Sequence, residues 1–168
     1  MATATYSASL ITRKKTSSSN AKSGYACQEF YDNSYNYVGV ICFSGMALAN
    51  KVITGISISA VSQAAGYGAS HTKTVYVRKS NYQNTSASAT GAGYTGDALG
   101  TFTGSLYNNT TTVNITGSLL TNLAAYFAAG NNTITIYNPS PVESSHGYSN
   151  NYLQWSSVTM TVTYTEAA

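Results

Sequence analysis

Few groups in this 168-residue chain could do chemistry: five carboxylates (Glu29, Asp32, Asp97, Glu143 and Glu166), two histidines (His71 and His146) and two cysteines (Cys27 and Cys42). A glycosidase needs two carboxyl groups facing each other across the scissile bond. Glu29 with Asp32 or Asp97 is the pair available, and nothing in their spacing brings them together. Glu143 and His146 stand three apart, but in a Pro/Ser/Gly segment, where that spacing does not put both on one helical face; a solvated loop is expected there, not a metal site. There is no Gly-x-Ser-x-Gly elbow for a nucleophilic serine and no glycine-rich phosphate loop. The expectation is therefore a protein with no catalytic residue, no metal ligand and no cofactor, which binds or assembles instead of catalysing. Cys27 and Cys42 flank an aromatic segment and could lie on neighbouring strands. They read as two small buried residues, free thiols in a reducing cytoplasm; the alternative is a disulfide, which needs an oxidising compartment as well as suitable geometry.

What surrounds these groups is unusual. Ser (23), Thr (23), Asn (15), Gly (14) and Tyr (15) make up 90 of the 168 residues, and only 8% are charged, against about 25% in ordinary domains. Uncharged polar groups must cover the surface. Disordered chains share the polarity but lack aromatic and β-branched residues, whereas 12% of this chain is aromatic, so it should fold. Tyr, Ser, Gly and Asn also dominate antibody recognition loops, where Tyr supplies rigid contact area and the small residues adaptable hydrogen bonds. The net charge of +3 comes partly from the run Arg13, Lys14 and Lys15, and the other cations are scattered. Nucleic acid needs a basic stripe to displace its counterions, so it is not an expected partner. No segment approaches the ~20 apolar residues of a membrane span, and Met1–Leu10 lacks the features of a signal peptide.

The length suits one soluble domain over residues 1–168, with 1–20 as an arm or flexible segment apart from a strand-like run at Thr5–Thr12. Strand-like runs separated by Gly, Asn and Ser clusters predict an all-β sandwich or barrel. Tyr35–Phe43 reads as a buried strand of uncertain phase. Lys51–Ala64 alternates, with Ile56 and Ile58 on one face and Ser57 and Ser59 on the other. Thr72–Lys79 alternates likewise, with Val75 and Val77 inward, and a hairpin between these two runs is expected. Ser80–Gly96 has no periodicity and is expected to be a long functional or mobile loop. Leu99–Leu106 and Thr111–Thr116 read as strands joined by a turn at Asn108–Asn109. Leu119, Leu120, Leu123 and Phe127 fall at helical spacing, with Ser118 as cap and Gly130 as stop, which predicts one short helix near 118–129 with a core-facing stripe. Thr133–Tyr137 and Tyr152–Thr165 complete the strands. In the last, Val158, Met160, Val162 and Tyr164 share one parity and Leu153 and Trp155 the other, so a bulge at Ser156–Ser157 is expected to bring Trp155 to the core.

In this order KVITGISISAVSQAAGYG, HTKTVYVRKSNYQ, LGTFTG, the helix, NTITIYNP and NYLQWSSVTMTVTYT resemble β-sandwich modules of phage and prophage tail or fibre proteins of Gram-positive bacteria, over about residues 39–164. Such modules typically end a longer protein, whereas this chain starts at Met1. The resemblance implies a jelly-roll-like antiparallel β-sandwich and a virion protein, made in the host cytoplasm without a signal peptide, that touches a host-surface glycan or other virion proteins. No family motif fixes ligand residues. The residues themselves suggest loop aromatics stacking on sugars: Tyr67, Tyr82, Tyr94, Tyr107 and Tyr148, with Asn81 and His146 as polar partners. The alternative is a structural virion protein, a decoration or fibre subunit, whose neutral surface packs against copies of itself as a homo-oligomer such as a trimer.

Overall fold

The computed structural model of the chain describes residues 1–30, 36–62, 72–105, 110–140 and 152–167. Its elements in order are β1 (Ala2–Lys14), β2 (Asn20–Ser23), β3 (Ala26–Phe30), β4 (Asn36–Phe43), β5 (Lys51–Ser62), β6 (Thr72–Ser80), α1 (Gly91–Tyr94), β7 (Thr95–Ser105), β8 (Thr110–Asn114), α2 (Gly117–Ala128), β9 (Thr133–Ile136) and β10 (Tyr152–Glu166). The fold is all-β, antiparallel and sandwich-like, with one helix of about three turns.

Two long strands serve both layers. Ala2–Ser7 of β1 pairs with β10, and Ala8–Lys14 of the same strand pairs with β4. Strand β10 pairs with β3 up to Trp155 and with β5 from there on. One layer therefore runs β1–β10–β5–β8, and the other runs β3–β4–β9–β6–β7 with the second half of β1 and β2 at its border. The N-terminus is not an arm: β1 is bonded to β10, β4 and β2, and Leu10 to Arg13 are buried.

The expected hairpin of β5 with β6 does not form. Strand β5 lies between β10 and β8, and β6 lies between β9 and β7 in the other layer. Alternation specifies a buried face, and Ile56, Ile58, Val75 and Val77 are all buried, but it does not specify the partner strand. Strands β7 and β8 likewise pair with β6 and β5 and not with each other.

Helix α2 packs on β5 and β7 and buries Leu119, Leu123, Tyr126 and Phe127. Each such side chain contributes about 1.5–3 kcal/mol by leaving water. The N-cap is Thr116, two residues before the expected Ser118, and Gly130 (φ +98°) ends the helix as predicted. The bulge in β10 falls between Trp155 and Ser157. It turns Trp155, 2% exposed, into the core beside Val158, Met160 and Val162, stacked on Phe102 at 6.0 Å.

Strand β4 is covered on both faces, hence its unreadable phase. Ile41 and Phe43 face the main core. Val40, with Ile11, packs under Tyr94, Ala87 and Ala89 of the segment after β6. The layer β1–β10–β5–β8 has the opposite character outside. Thr5, Thr161, Ser57 and Asn114 are in register across its four strands, as are Ser7, Thr159, Ser59 and Thr112, giving an outer face of hydroxyl and amide groups.

Candidate functional site

The ladder between β6 and β9 pairs Val77 with Ile136, Arg78 with Thr135 and Lys79 with Ile134, and then stops. The next rung would join Ser80 to Thr133. Two side chains occupy it instead. The Ser80 N–H donates to the Tyr126 hydroxyl (3.0 Å), which donates to the Thr133 carbonyl. The Thr133 N–H donates to Gln83 Oε1 (3.0 Å), while Gln83 Nε2 donates to the Ser80 carbonyl (2.9 Å). Each missing backbone bond is thus replaced by a side-chain bridge, and the two bridges are joined by Gln83 Nε2 donating to the Tyr126 hydroxyl at 3.0 Å. The Tyr126 side chain comes from α2, so the helix is wedged into the end of the sheet. Burial raises the Tyr126 phenol above its ordinary range, against the lowering effect of its bonds to Gln83 and Ser80.

Over this wedge lies a cleft in two adjoining parts, of about 410 and 460 Å³, which share Lys79, Asp97, Tyr126 and Asn131. Volumes of that size are usual for small-molecule sites. Asn122 and Leu99 line one part, Asn81, Gln83 and Gly96 the other. Three carboxamides are fixed in the same way. Asn81 Nδ2 donates to the Gly93 and Thr95 carbonyls (3.0 and 3.3 Å), Asn122 Nδ2 to the Leu99 carbonyl (2.8 Å) and Asn131 Nδ2 to the Tyr126 carbonyl (2.9 Å). Each amide nitrogen is anchored to the backbone, by two bonds in Asn81 and by one each in Asn122 and Asn131, and each Oδ1 keeps its acceptor capacity among the described residues. The side chains of Lys79 and Asp97 are exposed and form neither an ion pair nor a hydrogen bond with the described residues. The cleft therefore offers several acceptors and one ammonium donor at no net charge.

Of the expected ligand residues, Asn81 lines the cleft and Tyr82 adjoins it in sequence, 41% exposed and edge-on to Tyr94 at 5.2 Å. Tyr94 is not a loop-surface aromatic. It is 0% exposed, its hydroxyl donates to the Ala87 carbonyl (3.0 Å) and the Arg13 guanidinium lies over its ring at 5.8 Å. It is a core residue beneath the loop, unavailable for stacking on a ligand. Nor is the segment 80–96 a free loop. Arg13 donates to the Ser18 and Ala87 carbonyls, Asn84 Oδ1 accepts the Ser86 and Ala87 N–H groups, the Ala92 N–H reaches the Lys15 carbonyl, and residues 91–94 form α1 with Thr90 as its cap.

Tyr67, Tyr107, His146 and Tyr148 lie outside the described residues. The strand ends that flank them, at Ser62, Thr72, Ser105, Thr110 and Tyr152, share one end of the sandwich, while Asn81 and Tyr82 follow Ser80 at the other. The eight-residue step from Thr72 to Ser80 spans about 26 Å of strand. Glu29 and Asp97 also stand at opposite ends: Glu29 pairs with Tyr37 at the start of β4, and Thr133, opposite Ser80, pairs with Cys42 near its finish. They do not face each other across a bond. Among the described residues, no group of three His, Cys, Asp or Glu side chains could hold a metal ion. Both thiols are free. Cys27 is buried, and the Cys42 sulfur is 3.9 Å from the Gln83 carbonyl. Sequence reasoning missed Lys79, Asn122, Tyr126 and Asn131, and considered Asp97 only as half of a carboxylate pair. No family model matches the chain, and no match to it is found among curated proteins.

Proposed function

We propose that the chain is a non-catalytic binding module of a virion, an adhesin that takes a neutral, hydroxyl-rich host-surface glycan in the Lys79–Asp97 cleft. The observation that carries this reading is the set of immobilised oxygens. Asn81, Asn122 and Asn131 are each held through the amide nitrogen, which leaves their oxygens, with the Asp97 carboxylate, as acceptors for ligand O–H groups. A sugar presents hydroxyls at comparable density and carries no charge that the cleft would have to neutralise. Lys79 supplies a donor to ring or hydroxyl oxygens, and Tyr82, next to Asn81 in sequence and exposed, is the nearest aromatic along the chain that could add stacking. Side chains already fixed in place lose little entropy on binding. The resemblance to phage tail and fibre modules is consistent with this use.

The test is a glycan array and host cell-wall polysaccharide probed with wild-type protein, followed by titration of Asp97→Ala, Asn122→Ala and Tyr82→Ala against the best ligand. Loss of one ligand hydrogen bond is expected to weaken binding about tenfold, with melting temperatures unchanged and the glycan intact by mass spectrometry. Equal affinity of all three variants would remove the cleft from consideration. Absence of saturable binding to any neutral glycan would remove the reading.

A further inference from the structure

The two parts of the Lys79–Asp97 cleft differ in character. The part lined by Asn81, Gln83 and Gly96 contains no alanine, valine, leucine or isoleucine, whereas the part lined by Asn122 holds Ala98, Leu99, Ala125 and Ala129. Asn122, Ala125 and Ala129 stand at i, i+3 and i+7 on α2 and so share one face of the helix. Ala125 and Ala129 are both exposed. Side chains four apart on a helix have their Cβ atoms about 5–6 Å from each other, and with nothing beyond Cβ these two leave a notch between them that a methyl group fills.

The polar groups of this part are few enough to count. The Tyr126 hydroxyl is taken up by Ser80, Gln83 and Thr133. That leaves the carboxamide oxygens of Asn122 and Asn131 and the Asp97 carboxylate as acceptors, and the Lys79 ammonium as the strong donor. Tyr126, 6% exposed, is also the one aromatic residue among those described that line this part, so the C–H face of a sugar ring finds no open aromatic face to stack on here. The apolar surface suits something narrower than a ring, set beside groups that accept one hydrogen bond and donate another.

We infer that this part of the cleft is a subsite for the acetamido group of an N-acetylated amino sugar. Its methyl lies in the Ala125–Ala129 notch against Leu99, its N–H is donated to a carboxamide oxygen of Asn122 or Asn131, which bracket the notch along the chain, and its C=O accepts from Lys79. The remaining hydroxyls of the sugar fall to Asn81 and Gln83 in the polar part. Other methyl-bearing or nitrogen-bearing sugars match less of the lining. The methyl of a 6-deoxy sugar brings neither N–H nor C=O, and an O-acetyl ester brings no N–H. A free amino group suits Asp97 but leaves the notch empty and sets a second ammonium beside Lys79. The acetamido group supplies methyl, donor and acceptor together and is uncharged. The inference rests on the glycan reading and narrows its ligand.

Three trisaccharides of one backbone and linkage test it on the full chain: tri-N-acetylchitotriose, chitotriose and cellotriose differ only in carrying an acetamido, an amino or a hydroxyl group at carbon 2. By calorimetric titration the N-acetylated trimer is expected to bind about tenfold more tightly than either of the others, from one buried methyl and two hydrogen bonds, and in saturation-transfer NMR its methyl protons should take the strongest signal. Ala125→Leu fills the notch at an exposed helical position and should bring the three affinities to within about twofold of one another. Should that variant misfold, Lys79→Met leaves the helix untouched and should weaken the N-acetylated trimer about tenfold. Cellotriose bound as tightly as the N-acetylated trimer, or a preference that survives both substitutions, would overturn the subsite and leave the glycan reading standing. Absence of binding to every neutral glycan would overturn both.

Discussion

Tyr126→Phe removes one oxygen and tests whether side chains really hold the end of the β6–β9 ladder. The hydroxyl accepts from the Ser80 N–H and from Gln83 Nε2 and donates to the Thr133 carbonyl. Tyr126 is 6% exposed, Ser80 6% and Thr133 0%, so water does not readily replace it. At about 1 kcal/mol net per hydrogen bond, losing three costs about 3 kcal/mol if β6 and β9 stay apart. In a domain of this size that lowers the melting temperature by roughly 6–12 °C. The strands could instead close, with the Ser80 N–H bonding the Thr133 carbonyl directly, and the loss would then fall to about 1 kcal/mol, since only the Gln83 contact disappears.

Urea melts of wild type, Tyr126→Phe, Gln83→Met and the double variant separate these cases. If the two bridges work as one unit, the single losses are not additive, and the cycle should return a coupling of about 1 kcal/mol or more. A Tyr126→Phe variant within about 0.5 kcal/mol of wild type, with zero coupling to Gln83, would refute the bridged rung. The same variant should weaken any glycan held in the cleft, because Asn131 is tied to the Tyr126 carbonyl and the cleft wall would shift with the helix.

Tyr94→Ala should cost about 3–5 kcal/mol by opening a cavity under residues 81–90, read as a lower urea midpoint; stability equal to wild type would mean the ring is not buried as described. Gly39→Ala would bring a methyl to 2.7 Å from Ile136 Cγ1 and 2.9 Å from the Cys27 backbone nitrogen and oxygen, and should destabilise by about 1–3 kcal/mol in the same melt. Burial pushes the Cys27 thiol from 9.0 up to about 11. The unfolded chain therefore releases this proton first, and stability present below pH 9 falls between pH 9 and 11, by at most about 2–3 kcal/mol. Cys27→Ala should flatten that part of the pH profile relative to wild type, and an unchanged slope would contradict the burial.

The alternating runs, the helical stripe and the parity switch at Trp155 were legible because each reports a local question, namely which side of an element is buried. Strand partners were not. Strands β5 and β6 look like a hairpin, yet each finds its neighbours elsewhere, Ile58 against Met160 and Val113, Val77 against Ile136 and Gly100. Strand β1 was legible only over Thr5–Thr12, because Ala2–Ser7 carries no apolar run, although in the fold it is a strand of alternating exposed and half-buried residues. Tyr94 looked like a loop aromatic because its neighbours are Gly, Ala, Ser and Thr. That composition lets the segment lie flat on Ile11 and Val40, and the flat segment is what buries the ring.

The cleft was illegible for a related reason. Gln83 and Tyr126 are 43 residues apart, and neither stands out by type, since a lone Gln in a polar segment and a Tyr on a helix are ordinary. Their importance comes from where the backbone stops pairing, which no sequence period records. A low-charge protein has few ways to build a selective polar site, because it has few charged groups with which to fix a ligand. Carboxamides tethered through their nitrogens give the same directional selection without charge, since a tethered Asn presents an oxygen whose position the backbone dictates. Asn81, Asn122 and Asn131 are tethered in this way by three different elements. The abundance of Asn that looks like surface filler in the sequence thus includes, at this end of the sandwich, side chains tied to the backbone through their amide nitrogens.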